Sequence, residues 1–283
     1  MPELPEVETI VRELRAHGLV GRQIRTTVVH WPPMVAPLSP AQFHGTLAGR
    51  RITSLDRRGK HIVAQLSEGL FLLIHLRMTG QLALTPASAP RDRHQHVVLA
   101  LDDGREWRYR DTRKFGRWLL TDDPARHLSQ LGPEPLAPDF TPAVLAERLR
   151  ARRRPIKPLL LDQSTLAGLG NIYVDEALWQ AGLHPCRPAH SMTRPEITRL
   201  HAAIRKVLRQ GIRNQGTSLG QGQSNYKRVG GARGKHQSSL QVFRRTGQAC
   251  PRCGAAIQRL VVSQRATHIC PDCQMNGSQA IHS

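Results

Sequence analysis

The chain is poor in aromatic residues and, over one long stretch, contains no acidic residue. Phe, Trp and Tyr make up 4% of the 283 residues, which argues against a surface that stacks the bases of a single strand. Between residues 197 and 271 there is neither Asp nor Glu, whereas fourteen Lys and Arg residues lie there. Such a stretch repels itself unless a polyanion neutralises it. Together with the net charge of +20 on the whole chain, this stretch indicates binding to the backbone of duplex nucleic acid.

The chain also lacks a long apolar run. No run approaches the roughly 18 residues that a membrane helix needs, and the acidic, helix-like N-terminus does not resemble a signal or transit peptide. Hydrophobic residues make up 39% of the chain, which is enough for packed cores, and 283 residues suffice for more than one domain. We therefore expect a soluble, cytoplasmic, multidomain protein that has no membrane partner.

Cysteine is scarce, and four of the five cysteines form two pairs near the C-terminus. The pairs follow the pattern CxxC-x16-CxxC and comprise Cys250, Cys253, Cys270 and Cys273. This spacing is typical of a zinc site with four thiolate ligands. Two disulfides are the alternative, but paired knuckles in an intracellular chain favour metal. The sequence thus predicts one structural Zn²⁺ per chain.

Periodicity divides the chain into regions. A helix is predicted over 5–16, and from about 20 to 120 short apolar runs alternate with turns, which predicts a β-sandwich or flattened barrel. A Gly- and Pro-rich linker follows at 131–138. Helical patterns then dominate, including helices over 171–181 and from 193 to 209, with Gly182 ending the first. Residues 214–240 lack an apolar period and are predicted to form a loop before the β-like cysteine module.

The first six residues carry candidate chemistry. If Met1 is removed, Pro2 becomes a terminal secondary amine, whose reference pKa of about 7.7–8.0 leaves a useful fraction unprotonated near neutral pH. Such an amine can attack an aldehyde-like carbon and form an iminium. Glu3 and Glu6 stand beside it as candidate proton carriers. The alternative is that Pro5 starts a helix whose first turn favours acids.

Five sequence blocks in one order resemble a known family. Besides the N-terminal Pro2-Glu3-Leu4-Pro5-Glu6-Val7-Glu8-Thr9 and the four-cysteine tail, the blocks are His75-Leu76-Arg77-Met78-Thr79-Gly80, Asp111-Thr112-Arg113-Lys114-Phe115-Gly116 and Gly168-Leu169-Gly170-Asn171-Ile172-Tyr173. From Pro2 to Gln274 the chain closely resembles the bacterial formamidopyrimidine-DNA glycosylases. The resemblance implies base excision repair: excision of oxidised purines such as 8-oxoguanine, followed by strand cleavage. The enzyme would act as a monomer on damaged duplex DNA held in a basic cleft between domains.

The resemblance also implies a multidomain α+β fold. An N-terminal β-sandwich domain with an N-terminal helix would cover residues 1–134. A helix–two-turn–helix domain with a lesion-capping loop would cover 135–240. A four-cysteine zinc-finger β-hairpin and a tail would cover 241–283. These boundaries are an expectation of the resemblance together with the predicted linker and loop.

Site residues follow from the resemblance position by position. Pro2 matches the nucleophile that attacks the sugar carbon bearing the damaged base, and Glu3 matches the acid that protonates the deoxyribose ring. Glu6 would support the geometry, and Lys60 would lie near the lesion's phosphate. The matching DNA-binding residues are Met78, Arg113 and Phe115, which would fill the hole left by the flipped nucleotide, and the phosphate contacts Asn171 and Arg265, with Lys157 and His75 as weaker candidates.

Two regions depart from the family pattern. Arg93-His94-Gln95-His96 replaces a Lys-His-Asp-His stretch, and the Gly- and Lys/Arg-rich interior of the loop 217–240 matches poorly. The tail after Cys273 is longer than expected, and we expect it to be disordered. Two other functions stay open: an endonuclease VIII-type glycosylase for oxidised pyrimidines, and a non-catalytic zinc DNA-binding protein. Leu4, Val7 and the complete Met78, Arg113 and Phe115 set argue against the first, and retention of Met1 would favour the second.

Overall fold

The computed structural model describes residues 1–150, 152–220 and 226–275. The chain divides into two compact units. Unit 1 comprises Met1–Ser129 and Gly211–Gln237, and unit 2 comprises Gln130–Gln210 and the residues from Ser238 onward. Part of the predicted loop, 221–225, and most of the predicted tail, 276–283, lie outside the described residues. The predicted domain boundaries after residues 134 and 240 stay a prediction.

The strands of unit 1 form two antiparallel sheets. One sheet has the strand order β1-β6-β7-β5 and the other β2-β3-β4-β8, where the strands are β1 (Ile24–Val29), β2 (Ile52–Arg58), β3 (His61–Leu66), β4 (Phe71–His75), β5 (Gln81–Pro86), β6 (Gln95–Leu101), β7 (Arg105–Arg110) and β8 (Arg117–Thr121). Alternate apolar residues of both sheets are buried in one core, as expected when two sheets pack face to face. The predicted N-terminal β-sandwich is confirmed.

Aromatic rings and a helix complete the core of unit 1. The ring centroid of Trp118 lies 5.4 Å from that of Trp107 and 5.6 Å from that of Tyr109, which joins β8 to β7 across the two sheets. Helix α1 (Leu4–Ala16) adds its apolar stripe to the same core. Pro5 stands in its first turn, as the sequence predicted. The short helices α2 (Pro40–Leu47) and α3 (Pro124–Leu128) also belong to unit 1.

Strand β7 is buried although its sequence, Arg-Glu-Trp-Arg-Tyr-Arg, is mostly charged. Arg108 is 2% exposed, and its Nε donates to the Glu106 carboxylate over 2.7 Å. Its Nη atoms donate to main-chain carbonyls of Ala89 and Pro90 over 2.9 and 3.0 Å. Charged residues enter a core only when they are paired and hydrogen-bonded, and this pairing forms only in the folded strand. A hydropathy pattern therefore does not identify β7 as buried.

Unit 2 contains helices followed by a β-hairpin. Its elements are α4 (Pro142–Arg150), α5 (Ile156–Leu161), α6 (Asn171–Ala181), α7 (Arg194–Arg213, whose last three residues belong to unit 1), β9 (Gln258–Val262) and β10 (Arg265–Ile269). Helix α6 ends at Gly182, which has φ +69°, as predicted, whereas α7 continues four residues beyond the predicted end at residue 209. Among the described residues, no helix has both the length and the apolar character required to cross a membrane.

Candidate active site and nucleic-acid interface

The N-terminus is fixed by one carboxylate. Pro2, Glu3 and Glu6 are buried: Pro2 precedes α1, Glu3 is its N-cap, and Glu6 lies in its first turn. The main-chain N–H of Glu3 donates to Oε2 of Glu6 over 2.8 Å, and the main-chain N–H of Thr217 donates to Oε1 over 2.8 Å. Both carboxylate oxygens of Glu6 therefore accept main-chain hydrogen bonds. The side chain of Glu3 accepts in turn from the main-chain N–H of Glu6, so the two residues form a capping box at the start of α1. Glu6 thereby fixes the main chain at both Glu3 and Thr217.

A surface cavity of about 360 Å³ adjoins this terminus. It is lined by Met1, Arg77, Met78, Phe115 and Arg117. Large apolar side chains are usually buried, yet Met78 is 42% and Phe115 48% exposed at this cavity. The structure thus brings the N-terminus together with two of the predicted void-filling side chains. The third, Arg113, is exposed beside them, with its Cζ 4.7 Å from the ring centroid of Phe115.

Asp111 joins the two turns that carry the predicted void-filling side chains. It is fully buried between β7 and β8. Its Oδ1 accepts hydrogen bonds from the hydroxyl of Thr79, in the β4–β5 turn, and from the main-chain N–H of Arg113 over 3.1 Å. Its Oδ2 accepts from the Tyr109 hydroxyl over 3.2 Å and the main-chain N–H of Gly116 over 2.9 Å. One carboxylate therefore sets the geometry of both turns.

Two glycines allow these turns to meet. A Cβ atom on Gly80 would lie 2.4 Å from the Tyr109 hydroxyl, and one on Gly116 would lie 1.8 Å from it. Neither distance is compatible with a real side chain. Both glycines therefore leave room for the same buried tyrosine, whose hydroxyl reaches Asp111.

His75 lies at the end of β4 with a defined tautomer. Its Nδ1 accepts a hydrogen bond from the main-chain N–H of Arg77 over 3.0 Å, so the ring proton is on Nε2. Its ring packs edge-on against His61, with centroids 4.6 Å apart. Burial, with the nearby His61, Arg77 and Lys60, lowers the pKa of His75 to about 3. His75 is therefore a neutral hydrogen-bond donor at neutral pH, and Lys60 lies close to it, in the buried β2–β3 turn.

The described part of the loop folds back onto α1. Gly216 adopts φ +79°, and a Cβ atom there would lie 2.7 Å from the ring of Tyr226 and 3.0 Å from the side chain of Glu6. The hydroxyl of Ser218 donates to the main-chain carbonyl of Tyr226 over 2.7 Å and accepts from the main-chain N–H of Gly234 over 2.9 Å. The described residues of the loop are thus ordered around Tyr226, beside the catalytic candidate Glu6.

In unit 2 the predicted phosphate-binding residues meet at the β9–β10 hairpin. Arg265 is exposed and directly follows the two-residue turn, whose residues Ser263 and Gln264 have φ +47° and +60°. The Nδ2 of Asn171, at the start of α6, donates to the main-chain carbonyl of Ala266 over 2.8 Å. The Oδ1 of Asn171 is buried and has no hydrogen-bond partner among the described residues.

Lys157 lies beneath the same hairpin and has no exposed surface. Its Nζ donates to Asp175 over 2.6 Å, to the Thr267 hydroxyl over 2.8 Å and to the carbonyl of Ala266 over 3.1 Å. The other carboxylate oxygen of Asp175 accepts from the main-chain N–H of His268 over 2.9 Å. The structure therefore brings Lys157 and Asn171 to one carbonyl next to Arg265, with the Lys157 ammonium enclosed by protein.

The four predicted zinc ligands form one cluster. All Sγ atoms of Cys250, Cys253, Cys270 and Cys273 lie within 4.8 Å of one another. Individual Sγ–Sγ distances of 3.3, 3.6 and 3.9 Å are too long for disulfides and close to the value of about 3.8 Å for a tetrahedron with Zn–S bonds of about 2.3 Å. The donor set and its spacing fit one structural Zn²⁺, which would join the two knuckles, and the disulfide alternative is wrong.

Comparison with known proteins identifies the family. The chain matches the formamidopyrimidine-DNA glycosylase N-terminal domain over residues 1–118, the H2TH domain of the same enzymes over 131–222, and the zinc finger found in FPG and IleRS over 247–276. A formamidopyrimidine-DNA glycosylase from Herpetosiphon aurantiacus is 50% identical over 277 residues, covering 97% of this chain and all of that protein. The chain belongs to the formamidopyrimidine-DNA glycosylase family. The predicted family and three-part fold class are confirmed.

Solved structures of the formamidopyrimidine-DNA glycosylase family have the same fold. A Lactococcus lactis FPG mutant in complex with DNA containing Fapy-dG superposes with a TM-score of 0.90 at 38% identity. The Lactococcus lactis Fpg in complex with DNA containing an abasic site gives a TM-score of 0.89, also at 38% identity. Both comparisons cover 97% of this chain and the whole of the other chain.

Several buried groups that support this site were not predicted from the sequence. Asp111 and Thr79 stand inside two of the five family-like blocks, yet each looks like an ordinary turn residue. A possible signal was the Asp immediately after a strand, followed five residues later by Gly116. Asp175 lies within a helix pattern, and nothing in its sequence surroundings indicates that it pairs with Lys157.

Proposed function

We propose that this protein is a bifunctional DNA glycosylase and abasic-site lyase that excises oxidised purines from duplex DNA in base excision repair. It works in the cytoplasm, at the nucleoid of a bacterium. The observation that carries the proposal is the cavity lined by Met1, the residue directly before Pro2, and by the exposed Met78 and Phe115. A reactive terminus beside side chains that can fill a vacated base stack is the arrangement that base extrusion and excision require.

The chemistry starts at Pro2 once Met1 has been removed. The unprotonated amine attacks the sugar carbon that bears the damaged base, the bond to the base breaks, and Glu3 protonates the opening deoxyribose ring. The iminium that links Pro2 to the sugar then promotes β-elimination and δ-elimination, which release the two phosphates flanking the sugar. Glu6 positions Glu3 by accepting a hydrogen bond from the main-chain N–H of Glu3, and this bond supports the assignment of Glu6 to the site.

Unit 1 supplies the contacts to the extruded nucleotide and its vacated position. Met78 and Phe115 enter the gap in the stack, which recovers part of the few kcal/mol that extrusion costs. Arg113 presents its guanidinium donors to the orphaned base. His75 donates its Nε2 hydrogen to a phosphate as a neutral group, and Lys60 approaches the lesion's phosphate as a cation. The tautomer of His75 supports this division of roles.

Unit 2 supplies backbone contacts. Arg265 and Asn171 bind phosphate oxygens, as residues at a hairpin turn and at a helix start can do. Because the Lys157 ammonium is enclosed by protein, its role is not direct contact with DNA. Lys157 instead positions Ala266, and therefore the neighbouring Arg265. Zinc, bound by the four cysteines, joins both ends of this module.

The experiment is covalent trapping on abasic duplex DNA with borohydride, in protein whose N-terminus is checked by mass spectrometry. Processed protein that begins at Pro2 is expected to form a trapped complex. Pro2→Gly and a form that retains Met1 are expected to lose most of it. Glu3→Gln is expected to bind duplex normally and to excise the damaged base slower by a factor on the order of 10².

A panel of duplexes then identifies the substrate. Duplexes with 8-oxoguanine, a formamidopyrimidine or an oxidised pyrimidine, each opposite cytosine, are compared under single-turnover conditions. Faster excision of the two purine lesions is the expected result, and faster excision of the pyrimidine would replace the proposal with the endonuclease VIII-type function. Full excision by protein that retains Met1 would rule out the Pro2 mechanism.

A further inference from the structure

A stripe of polar side chains on α1 faces the segment Gly211–Gln237 of the same unit. Glu6, Thr9 and Glu13 are three and four residues apart, so they lie on one side of the helix. Glu6 is 1% and Thr9 4% exposed, and the side chain of Glu13 is 12% exposed. The stripe is therefore covered by protein although none of its residues is apolar.

Glu13 binds two residues in the Gly- and Lys/Arg-rich interior of the loop, which matches the family pattern poorly. One carboxylate oxygen of Glu13 accepts a hydrogen bond from Nε of Arg228, and the other accepts from the main-chain N–H of Val229 over 2.9 Å. Nη1 of Arg228 also donates to the side-chain carbonyl of Gln215 over 2.9 Å. Val229 is 4% exposed and packs in the sandwich core. The Arg228 guanidinium is thus engaged inside unit 1.

Two carboxylates on one helix therefore fix two points of the segment. Glu6 accepts from Thr217, and Glu13, about 10 Å further along the helix axis, binds Arg228 and Val229. Helix α1 begins directly after the reactive terminus. The helix that positions the nucleophile consequently also positions the described part of the segment.

We propose that Glu13 is a positioning residue for base excision: by binding Arg228 and Val229 it fixes the loop beside the N-terminal site. The proposal rests on the proposed function and on the lesion-capping role that the resemblance implies for this loop, which would cover the extruded base. Because an abasic site has no base to cover, Glu13 matters for excision and not for abasic-site cleavage. It also gives one of the loop's unusual basic residues a partner within the protein.

The test is a double-mutant cycle on the full-length, zinc-loaded protein. Glu13→Gln, Arg228→Gln and the combined variant are compared with wild type for single-turnover excision of 8-oxoguanine and for cleavage of a preformed abasic duplex. Each single variant is expected to excise about tenfold or more slowly, since small displacements of positioning groups cost this much, with abasic cleavage unchanged. The combined variant is expected to lose no more than the worse single variant.

Asp56→Asn is the matched control, because it breaks the exposed ion pair between Asp56 and Arg15 of α1 and leaves the segment untouched. It is expected to behave as wild type. Losses that multiply in the combined variant, or equal losses in excision and abasic cleavage, would overturn the proposal. So would a smaller salt dependence of duplex binding for Arg228→Gln, which would assign Arg228 to phosphate. A wild type without excision would refute the proposed function itself, whereas an active wild type with unchanged variants would refute only the role of Glu13.

Discussion

The two units fix their predicted DNA contacts with buried aspartates that are stabilised in different ways. Asp111 in unit 1 and Asp175 in unit 2 are 0% and 1% exposed, and each organises a turn that presents a predicted contact. In the described part of the chain, the hydrogen-bond donors to the Asp111 carboxylate are neutral: two hydroxyls and two main-chain N–H groups. Asp175 has a buried cation, Lys157, besides the main-chain N–H of His268.

Because of this difference, Asp111 acts through hydrogen-bond geometry and Asp175 through charge compensation. The four neutral donors around Asp111 point at its two carboxylate oxygens, so the conformation of both turns depends on where these oxygens lie. A buried ion pair contributes little net stability when intact, but loss of one partner leaves an uncompensated charge in the interior. We therefore expect unit 2 to respond more strongly to single substitutions and unit 1 to show changes in base recognition.

Removing the metal should have the largest effect on stability and DNA binding, because zinc supports the unit 2 hairpin in addition to the Lys157–Asp175 pair. Four thiolates binding Zn²⁺ contribute on the order of 10 kcal/mol to ordering such a module. Cys253→Ser is expected to lose the metal, to increase amide hydrogen exchange in residues 247–275 and to weaken DNA binding. Cys186→Ser, which lies outside the cluster, is the control. A Cys253→Ser protein that still contains one zinc per chain would contradict this prediction.

Breaking the buried ion pair should come next. Lys157→Met leaves Asp175 without its cation and is expected to lower the free energy of unfolding by about 3–5 kcal/mol in urea titrations of the zinc-loaded protein. Adding Asp175→Asn removes the uncompensated charge, and the double variant is expected to regain part of the loss. If the double variant is no more stable than Lys157→Met, lost contacts and not charge explain the effect.

Changing Asp111 should cost less stability but alter recognition. Asp111→Asn places an amide N–H₂ against two donors and is expected to lower the free energy of unfolding by about 1–3 kcal/mol. Because both turns shift, the preference for cytosine over adenine opposite 8-oxoguanine should weaken, as single-turnover rates on both duplexes would show. Thr79→Val removes one donor and should act in the same direction, whereas Thr79→Ser keeps the hydroxyl and should not. Equal behaviour of Val and Ser at residue 79 would contradict this role of Asp111.

Local signals in the sequence predicted much of the fold. Pro5 marks the start of α1, Gly182 ends α6, and the spacing of the cysteines specifies a tetrahedral site, since each signal acts within a few residues. Strand β7 lacked such a signal because Glu106 and Arg108 satisfy each other only once both are buried.

The candidate site divides in the same way. A set of residues for the N-terminal site was predicted from the sequence, and of these the structure places Met78 and Phe115 at one cavity with the terminus. It could not predict the supports, because Thr79 is 32 residues from Asp111 and His268 is 93 residues from Asp175. Such pairs arise from tertiary packing, which leaves no periodic trace in a single sequence.

The smallest expected effect concerns Arg265, and it tests whether the two units divide recognition between base and backbone. Arg265→Ala is expected to reduce the slope of log K against log[salt] by about 0.9, the counterions released per phosphate contact, equally for damaged and undamaged duplex. Arg259→Ala removes the same charge from β9, away from the hairpin turn, and is the control. Arg113→Ala is expected to leave the salt slope unchanged and to alter the preference for the base opposite the lesion by about 1–3 kcal/mol. An Arg265→Ala protein with an unchanged slope, or with a loss confined to damaged DNA, would show that the hairpin does not read the backbone.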